Sequence, residues 1–248
     1  MGKAAKRKNG KSPAAGAEKR PDRPSGTRQK PLRTESPGQA GGKTELPYVR
    51  YYYWVSLGLI FLFVVAVRTR LLDLPFERDE GEYAYLGQLI RHGIAPYGIA
   101  YNMKLPGTHF MYALIMSLFG ESITGVHLGL MLMNCLTILM VYKIGAKVVG
   151  SFAGVIAACA YAVLSLDMSV LGSAAHATHF VIFWAMTGLL ILLYAVEKDN
   201  KPLHFTGGVL LSLAFMMKQP GVFLLFSAPA TSLSMVFSRK AQQGNGCF

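Results

Sequence analysis

From residue 51 onward the chain alternates long apolar runs with short polar stretches. The runs cover Tyr51 to Val67, Gly125 to Tyr142, Val148 to Leu166, Phe180 to Val196, Leu203 to Met217 and Val222 to Phe237. A helix crosses a hydrocarbon core of about 30 Å in roughly 20 residues, so these runs, helped by their flanks, predict about six membrane-spanning helices. A further run, Gly107 to Phe119, is too short to cross unaided and is expected to lie at the membrane surface. The fold class is therefore all-α: a polytopic membrane helical bundle with juxtamembrane helices on its outer side.

Composition agrees, with 52% hydrophobic and only 15% charged residues. The net charge of +12 is concentrated at one end, where residues 1–50 hold 13 of the 25 Lys and Arg. That stretch is rich in Pro, Gly, Ser and Lys and lacks large apolar residues, so it is expected to stay disordered. It reads as a cytoplasmic basic tail that sets topology and brushes anionic lipid heads, rather than as a nucleic-acid binder. Its length of polar sequence before the first apolar run argues against a cleaved signal peptide. Residues 51–240 form the expected transmembrane domain, with a first outer loop at 71–124, and 241–248 a polar C-terminal end.

With the short run kept at the surface, Lys143, Lys147, Lys198, Lys201, Arg239 and Lys240 fall on the tail's side. Were it to span, those cations would turn outward, against the positive-inside rule. Tyr51, Tyr52, Tyr53 and Trp54 then sit at the inner interface, where amphipathic rings belong.

The first outer loop is unusually acidic. Asp73, Glu77, Asp79, Glu80 and Glu82 are five of the nine acids outside the tail. One reading is a solvated amphipathic helix, because Tyr83, Ala84, Leu86, Leu89 and Ile90 recur at helical spacing. A second reading is a site, since the same topology brings Lys104, Asp167, His176, His179 and Lys218 to the outer ends of other segments. Carboxylates, cations and imidazoles on one face suit the handling of an anion. Each also has a plain reading: Asp167 as a cap, Lys218 as a snorkelling cation, His176 and His179 as a helix end. His176 and His179 lack a nearby third ligand, so no metal is expected. His127 and Asn134 share a face of the second span and are expected to bond across helices, whereas His109 and His204 lie near interfaces, all four without a catalytic role. Cys135, Cys159 and Cys247 show no metal-ligand spacing and read as packing residues.

The order Arg78, Asp79, Glu80, Gly81, Glu82, Tyr83, then Met103, Lys104, Leu105, Pro106, Gly107, then Leu118, Phe119, Gly120 resembles the GT-C membrane glycosyltransferases. The similarity is to the branch with the protein O-mannosyltransferases and the lipid A aminoarabinose transferases. Tyr142 to Gly150 and the Lys218 to Gly221 stretch resemble further elements of that branch. Two departures stand out: Lys-Leu-Pro replaces Lys-Pro-Pro at Lys104, and His179 stands where relatives often carry an acid.

The resemblance implies transfer of a sugar from a polyprenyl-phosphate donor to an acceptor hydroxyl on a lipid, polysaccharide or protein, outside a bacterial inner membrane, with inversion and no cofactor. It implies Asp79 as general base with Glu80 beside it, Lys104 and Lys218 on the donor phosphate, and Arg78, Tyr83, His176 and His179 as substrate contacts. It also implies that these residues form the N-terminal part of a longer enzyme. Non-catalytic binding or transport of a lipid-linked sugar, an assembly subunit, or an inactive fragment are the alternatives.

Overall fold

The computed structural model describes residues 47–223, 225 and 226, with side chains from residue 51. All regular structure among them is helical: α1 (Pro47–Thr69), α2 (Arg78–Arg91), α3 (Gly107–Phe119), α4 (Ile123–Val148), α5 (Ser151–Leu164), α6 (Ala177–Lys198) and α7 (Lys201–Met217). Single 3-10 turns follow at Met168–Val170 and Gln219–Gly221. Residues 1–46 of the expected tail, most of the sixth apolar run, Cys247 and the polar end 241–248 lie outside the described residues.

Among the described residues, three helices are long and apolar enough to cross a membrane: the Tyr51–Thr69 part of α1, α4 and α6. Large apolar side chains on the rim face outward, among them Leu62 on α1, Phe152 on α5 and Phe205 on α7. Outside lipid such a surface would aggregate, so these side chains face hydrocarbon in a membrane protein. The third apolar run is helical from Ser151 to Leu164, as α5, while its first residue, Val148, still belongs to α4. The run breaks at Val149–Gly150, where Gly150 takes a φ of 143° that a side chain would resist.

Helices pack closely where small residues meet, as expected where van der Waals fit replaces a hydrophobic driving force. Gly145 on α4 backs onto Gly154 on α5, and Gly188 on α6 onto Gly207 on α7. Arg68, buried in the last turn of α1, donates from Nη2 to the Ser165 carbonyl at 3.3 Å. Ser165 is the C-cap of α5, so the cation meets a helix end that lacks partners for its carbonyls. Cys135 packs against the core between α1, α4 and α5, and Cys159 is exposed.

The expected surface helix, α3, has the bounds read from the sequence. It packs on α2, α4, α6 and α7, with His109, Met111, Tyr112, Ile115 and Met116 buried. Asn134 does bond across helices, accepting from the Tyr161 hydroxyl at 3.3 Å.

Candidate functional site

The acidic loop folds into α2, and its first turn explains why. Glu77 is the N-cap, accepting from the Asp79 amide at 2.8 Å, while Glu80 reaches back to accept from the Glu77 amide at 2.9 Å. This capping box satisfies amides that the helix itself leaves open. Acids also suit the positive end of the helix dipole. Helical spacing then divides the acids between two directions.

Glu80 points inward. Its side chain is almost completely buried, where it accepts from the Ala175 amide at 2.5 Å and meets His127 Nε2 at 3.1 Å. His127 is fixed from its other nitrogen, Nδ1, at 2.8 Å from the Leu72 carbonyl. The carboxylate therefore ties α2 to α4 and to the segment preceding α6. Burial alone would raise its pKa, but hydrogen bonds from His127 and from the Glu77 and Ala175 amides hold it below the ordinary glutamate value.

Asp79 and Glu82 point toward Lys104, which arrives on the loop between α2 and α3. The ammonium lies 3.2 Å from Asp79 Oδ1 and 2.8 Å from Glu82 Oε2. The buried ring of Tyr83 lies beneath it, its centroid 4.5 Å from Nζ. Asn102 accepts from the Lys104 amide at 2.8 Å and donates to Glu82, and the Tyr97 hydroxyl donates to the Lys104 carbonyl at 2.6 Å. Burial alone would raise the Asp79 carboxyl, but the hydrogen bond and charge of Lys104 outweigh it and keep it below the usual carboxylate range. Partial burial would lower the Lys104 ammonium, yet its bonds to Glu82 and Asp79 hold it above the ordinary lysine value.

His176 joins from the start of α6, with Nε2 at 3.7 Å from Asp79 Oδ2. Burial, then the charge of Lys218, lowers its pKa, so it is the neutral imidazole at pH 7. Arg78 is exposed, its Nη2 3.8 Å from Asp79 Oδ1. His179 stays apart: it is buried, with Nε2 3.4 Å from the Leu171 carbonyl. Asp167 also stays apart, capping the turn Met168–Val170 through the Ser169 amide at 2.7 Å.

Two cavities, each of about 420 Å³, flank the Asp79–Lys104 pair. The first is lined by Asp79, Tyr83, Lys104 and Lys218 together with the apolar Met103, Leu105, Met217 and Pro220. The second is lined by Arg78, Asp79, Glu82, Asn102, Lys104 and residues 101 and 103. The first thus offers two ammonium groups and one carboxylate among greasy walls, the chemistry that an amphiphile with an anionic head requires. Among the described residues no group of three or more His, Cys, Asp or Glu is placed to hold a metal ion.

Of the eight residues expected at the site, Asp79, Tyr83, Lys104 and Lys218 share the first cavity, Arg78 lines the second and His176 touches Asp79. Glu80 supports the site from behind, and His179 is one helical turn away from it. Glu82, Asn102 and His127 were not assigned to the site by their sequence. The signal for Glu82 was its i, i+3 spacing from Asp79, which places both on one helix face; nothing local marks Asn102 or His127.

The family model described as dolichyl-phosphate-mannose-protein mannosyltransferase matches residues 103–243, beginning one residue before Lys104 and leaving out Asp79. Two curated relatives, from Pseudomonas aeruginosa and Pseudomonas paraeruginosa, carry the name undecaprenyl phosphate-alpha-4-amino-4-deoxy-L-arabinose arabinosyl transferase. Each is 29% identical over 167 residues, which is 64% of this chain and 29% of the relative's length. The chain therefore spans less than a third of the relatives it matches. No solved structure matches it.

Proposed function

The chain belongs to the dolichyl-phosphate-mannose-protein mannosyltransferase family, and on that premise we propose that it transfers a sugar from a polyprenyl-phosphate carrier to an acceptor hydroxyl. The observation that carries the reading is the first cavity, where Lys104 and Lys218 stand among apolar walls and Asp79 stands beside them. An isoprenoid phosphate has those two parts, a greasy chain and an anionic head.

In the reaction the acceptor oxygen attacks the anomeric carbon as the bond from that carbon to the phosphate oxygen breaks. Asp79, ionised at neutral pH, takes the acceptor's proton. Lys104 and Lys218 stabilise the charge that gathers on the departing carrier phosphate. A single displacement inverts the anomeric centre and forms no covalent sugar intermediate on the protein. Glu80 takes no proton in this scheme; it holds α2 and thereby Asp79 in place. His176, neutral, adjusts Asp79 from the side away from Lys104, and Tyr83 supports the ammonium. In this reading residues 1–50 are cytoplasmic, the site faces outward, and the compartment is a bacterial inner membrane; the Pseudomonas origin of the relatives supports the bacterial part of it.

The test is D79N in the full chain, assayed with a radiolabelled sugar on undecaprenyl phosphate and a membrane extract as acceptor source. Transfer is expected to fall by about a hundredfold or more, while binding of the carrier persists. A D79N protein that transfers at the unaltered rate would falsify the role of Asp79, and a non-catalytic carrier of lipid-linked sugar would show no transfer in either protein.

A further inference from the structure

Lys104 is held by more than its partner Asp79. Glu82 accepts from the Lys104 ammonium at 2.8 Å through Oε2 and from the Asn102 side-chain amide through Oε1. Asn102 in turn accepts from the Lys104 backbone amide at 2.8 Å. The three residues thus close a ring that grips one lysine by both its backbone and its side chain. Resting on the reading of the first cavity as a carrier-phosphate site, we infer that Glu82 and Asn102 are positioning residues whose closed hydrogen-bond ring sets the Lys104 ammonium between the two cavities.

The ring has a fixed polarity. Lys104 offers only donors to it, at Nζ and at the backbone amide. Asn102 must turn its oxygen to the Lys104 amide, so its nitrogen faces Glu82. Position 82 must therefore accept twice, from a lysine and from an amide, and only a carboxylate accepts twice without donating. A glutamine there would supply one acceptor and one donor, setting N–H against N–H. Charge-assisted bonds are the stronger ones, and the ring contains two with Glu82 as acceptor.

The cation needs such a hold because, apart from the Tyr97 hydroxyl on the Lys104 carbonyl, which fixes backbone and not the ammonium, the loop carrying it is irregular. Between the end of α2 and the start of α3 the backbone forms turns and bends without regular structure. Met103 and Tyr101, on either side of Asn102, are exposed. A lysine on a loose loop would spread over many rotamers, and ordering it would then cost binding free energy at each encounter with ligand. With two carboxylates and the face of Tyr83 around it, the ammonium is already ordered.

Polarity also makes the ring testable by exchange. In E82Q the amide at position 82 lacks its second acceptor, and in N102D two carboxylates confront each other. In E82Q/N102D the amide at 82 accepts from the ammonium and donates to position 102, which still accepts from the Lys104 backbone, so the ring closes again with its carboxylate moved. A contact of Glu82 to the acceptor predicts no such rescue, and a role as a simple negative charge predicts no loss in N102D, which keeps Glu82 and adds a second carboxylate.

Two measurements on the full chain in lipid nanodiscs read this out. Amide hydrogen exchange of the peptide covering residues 101–105 is expected to quicken in E82Q and in N102D and to slow again in E82Q/N102D. Affinity for undecaprenyl phosphate is expected to fall by about tenfold in each single variant and to return to within about threefold in the double variant. Exchange that is unchanged in the single variants, or a double variant as impaired as their combination, overturns the ring. Exchange that follows the swap while the unaltered chain binds no carrier supports the clamp and instead overturns the reading of the first cavity.

Discussion

Glu80 and His127 form a pair 3.1 Å apart with both side chains buried, one on α2 and one on α4. A carboxylate placed there has no water to fall back on, and its oxygens are met instead by His127 and the amides of Glu77 and Ala175. Removing one partner of such a buried, hydrogen-bonded pair costs about 3 to 5 kcal/mol, so E80A is expected to unfold at clearly lower temperature in detergent. Because the folded Glu80 carboxyl sits below its ordinary value, its contribution is present above the unfolded glutamate pKa and is lost as pH falls through the lower folded one. Unfolding temperature measured from neutral to acid pH should therefore fall less steeply in E80A than in the unaltered chain. Equal slopes below the ordinary glutamate value would show that the Glu80 carboxylate carries no pH-dependent stability.

Lys104 and Lys218 come from opposite ends of the cavity's sequence, one before α3 and one after α7, yet line the same cavity. If both meet the carrier phosphate, K218Q should weaken binding of undecaprenyl phosphate by about tenfold, the loss of one charge-assisted hydrogen bond. K104Q should weaken it at least as much and also free Asp79 and Glu82 from their shared cation. Undecaprenol, which lacks the phosphate, should bind the three proteins alike. Equal sensitivity of the alcohol and the phosphate would place the lysines outside the headgroup site.

How far the sequence anticipated this arrangement differs from element to element. The helix α2 and its buried Tyr83, Leu86 and Leu89 follow from spacing alone, and the bounds of α3 follow from Pro106 before it and Gly120 after it. The topology read from the charges brought Asp79 and Lys104 to one face, and the resemblance then paired them, although no local pattern spans their separation of 25 residues. The break at Gly150 was not legible, because an apolar run gives no sign of which glycine will take a positive φ. Nor was the division of labour between neighbouring acids: Asp79 and Glu80 are adjacent and chemically alike, and only the packing of α2 on α3, with His127 and the Ala175 amide waiting on its inner side, decides that one faces the cavity and the other the core. His127 belongs to the same class, a histidine in an apolar span whose partner lies 47 residues away.

His176 reports on the electrostatics of the cavity without being its base. Burial comes first and Lys218 second among the causes that lower its pKa, while Asp79 opposes them. K218Q should therefore move the His176 titration upward, toward its ordinary value near 6.5, and D79N should move it further down. Histidine ring resonances of labelled protein, assigned through H176Q, would show both shifts. With a depressed folded pKa, neutral His176 contributes stability above its unfolded pKa that is lost as pH falls through the folded one. Identical titrations in K218Q and the unaltered chain would mean that Lys218 does not face this imidazole.

The spacing between the two cations depends on a contact with no charge in it. Gly107 begins α3 three residues after Lys104 and lies against the backbone of Met216, two residues before Lys218, so closely that a Cβ there would collide with the Met216 carbonyl. Thr108 beside it donates from its hydroxyl to the Met217 carbonyl at 2.8 Å. The two helix ends are thus pinned where the cavity's cations emerge. G107A must push α3 away from α7, and overpacking of this kind costs about 1 to 3 kcal/mol. T108V removes only the hydrogen bond and leaves the Met217 carbonyl short of a partner, at about 1 to 3 kcal/mol for a buried group. Both variants should lower the unfolding temperature, but G107A should lose more affinity for undecaprenyl phosphate, because it alone forces Lys104 and Lys218 apart. If G107A lost stability and kept full affinity, the cavity would tolerate a change in that spacing, and the separation of the two lysines would not be what recognises the phosphate.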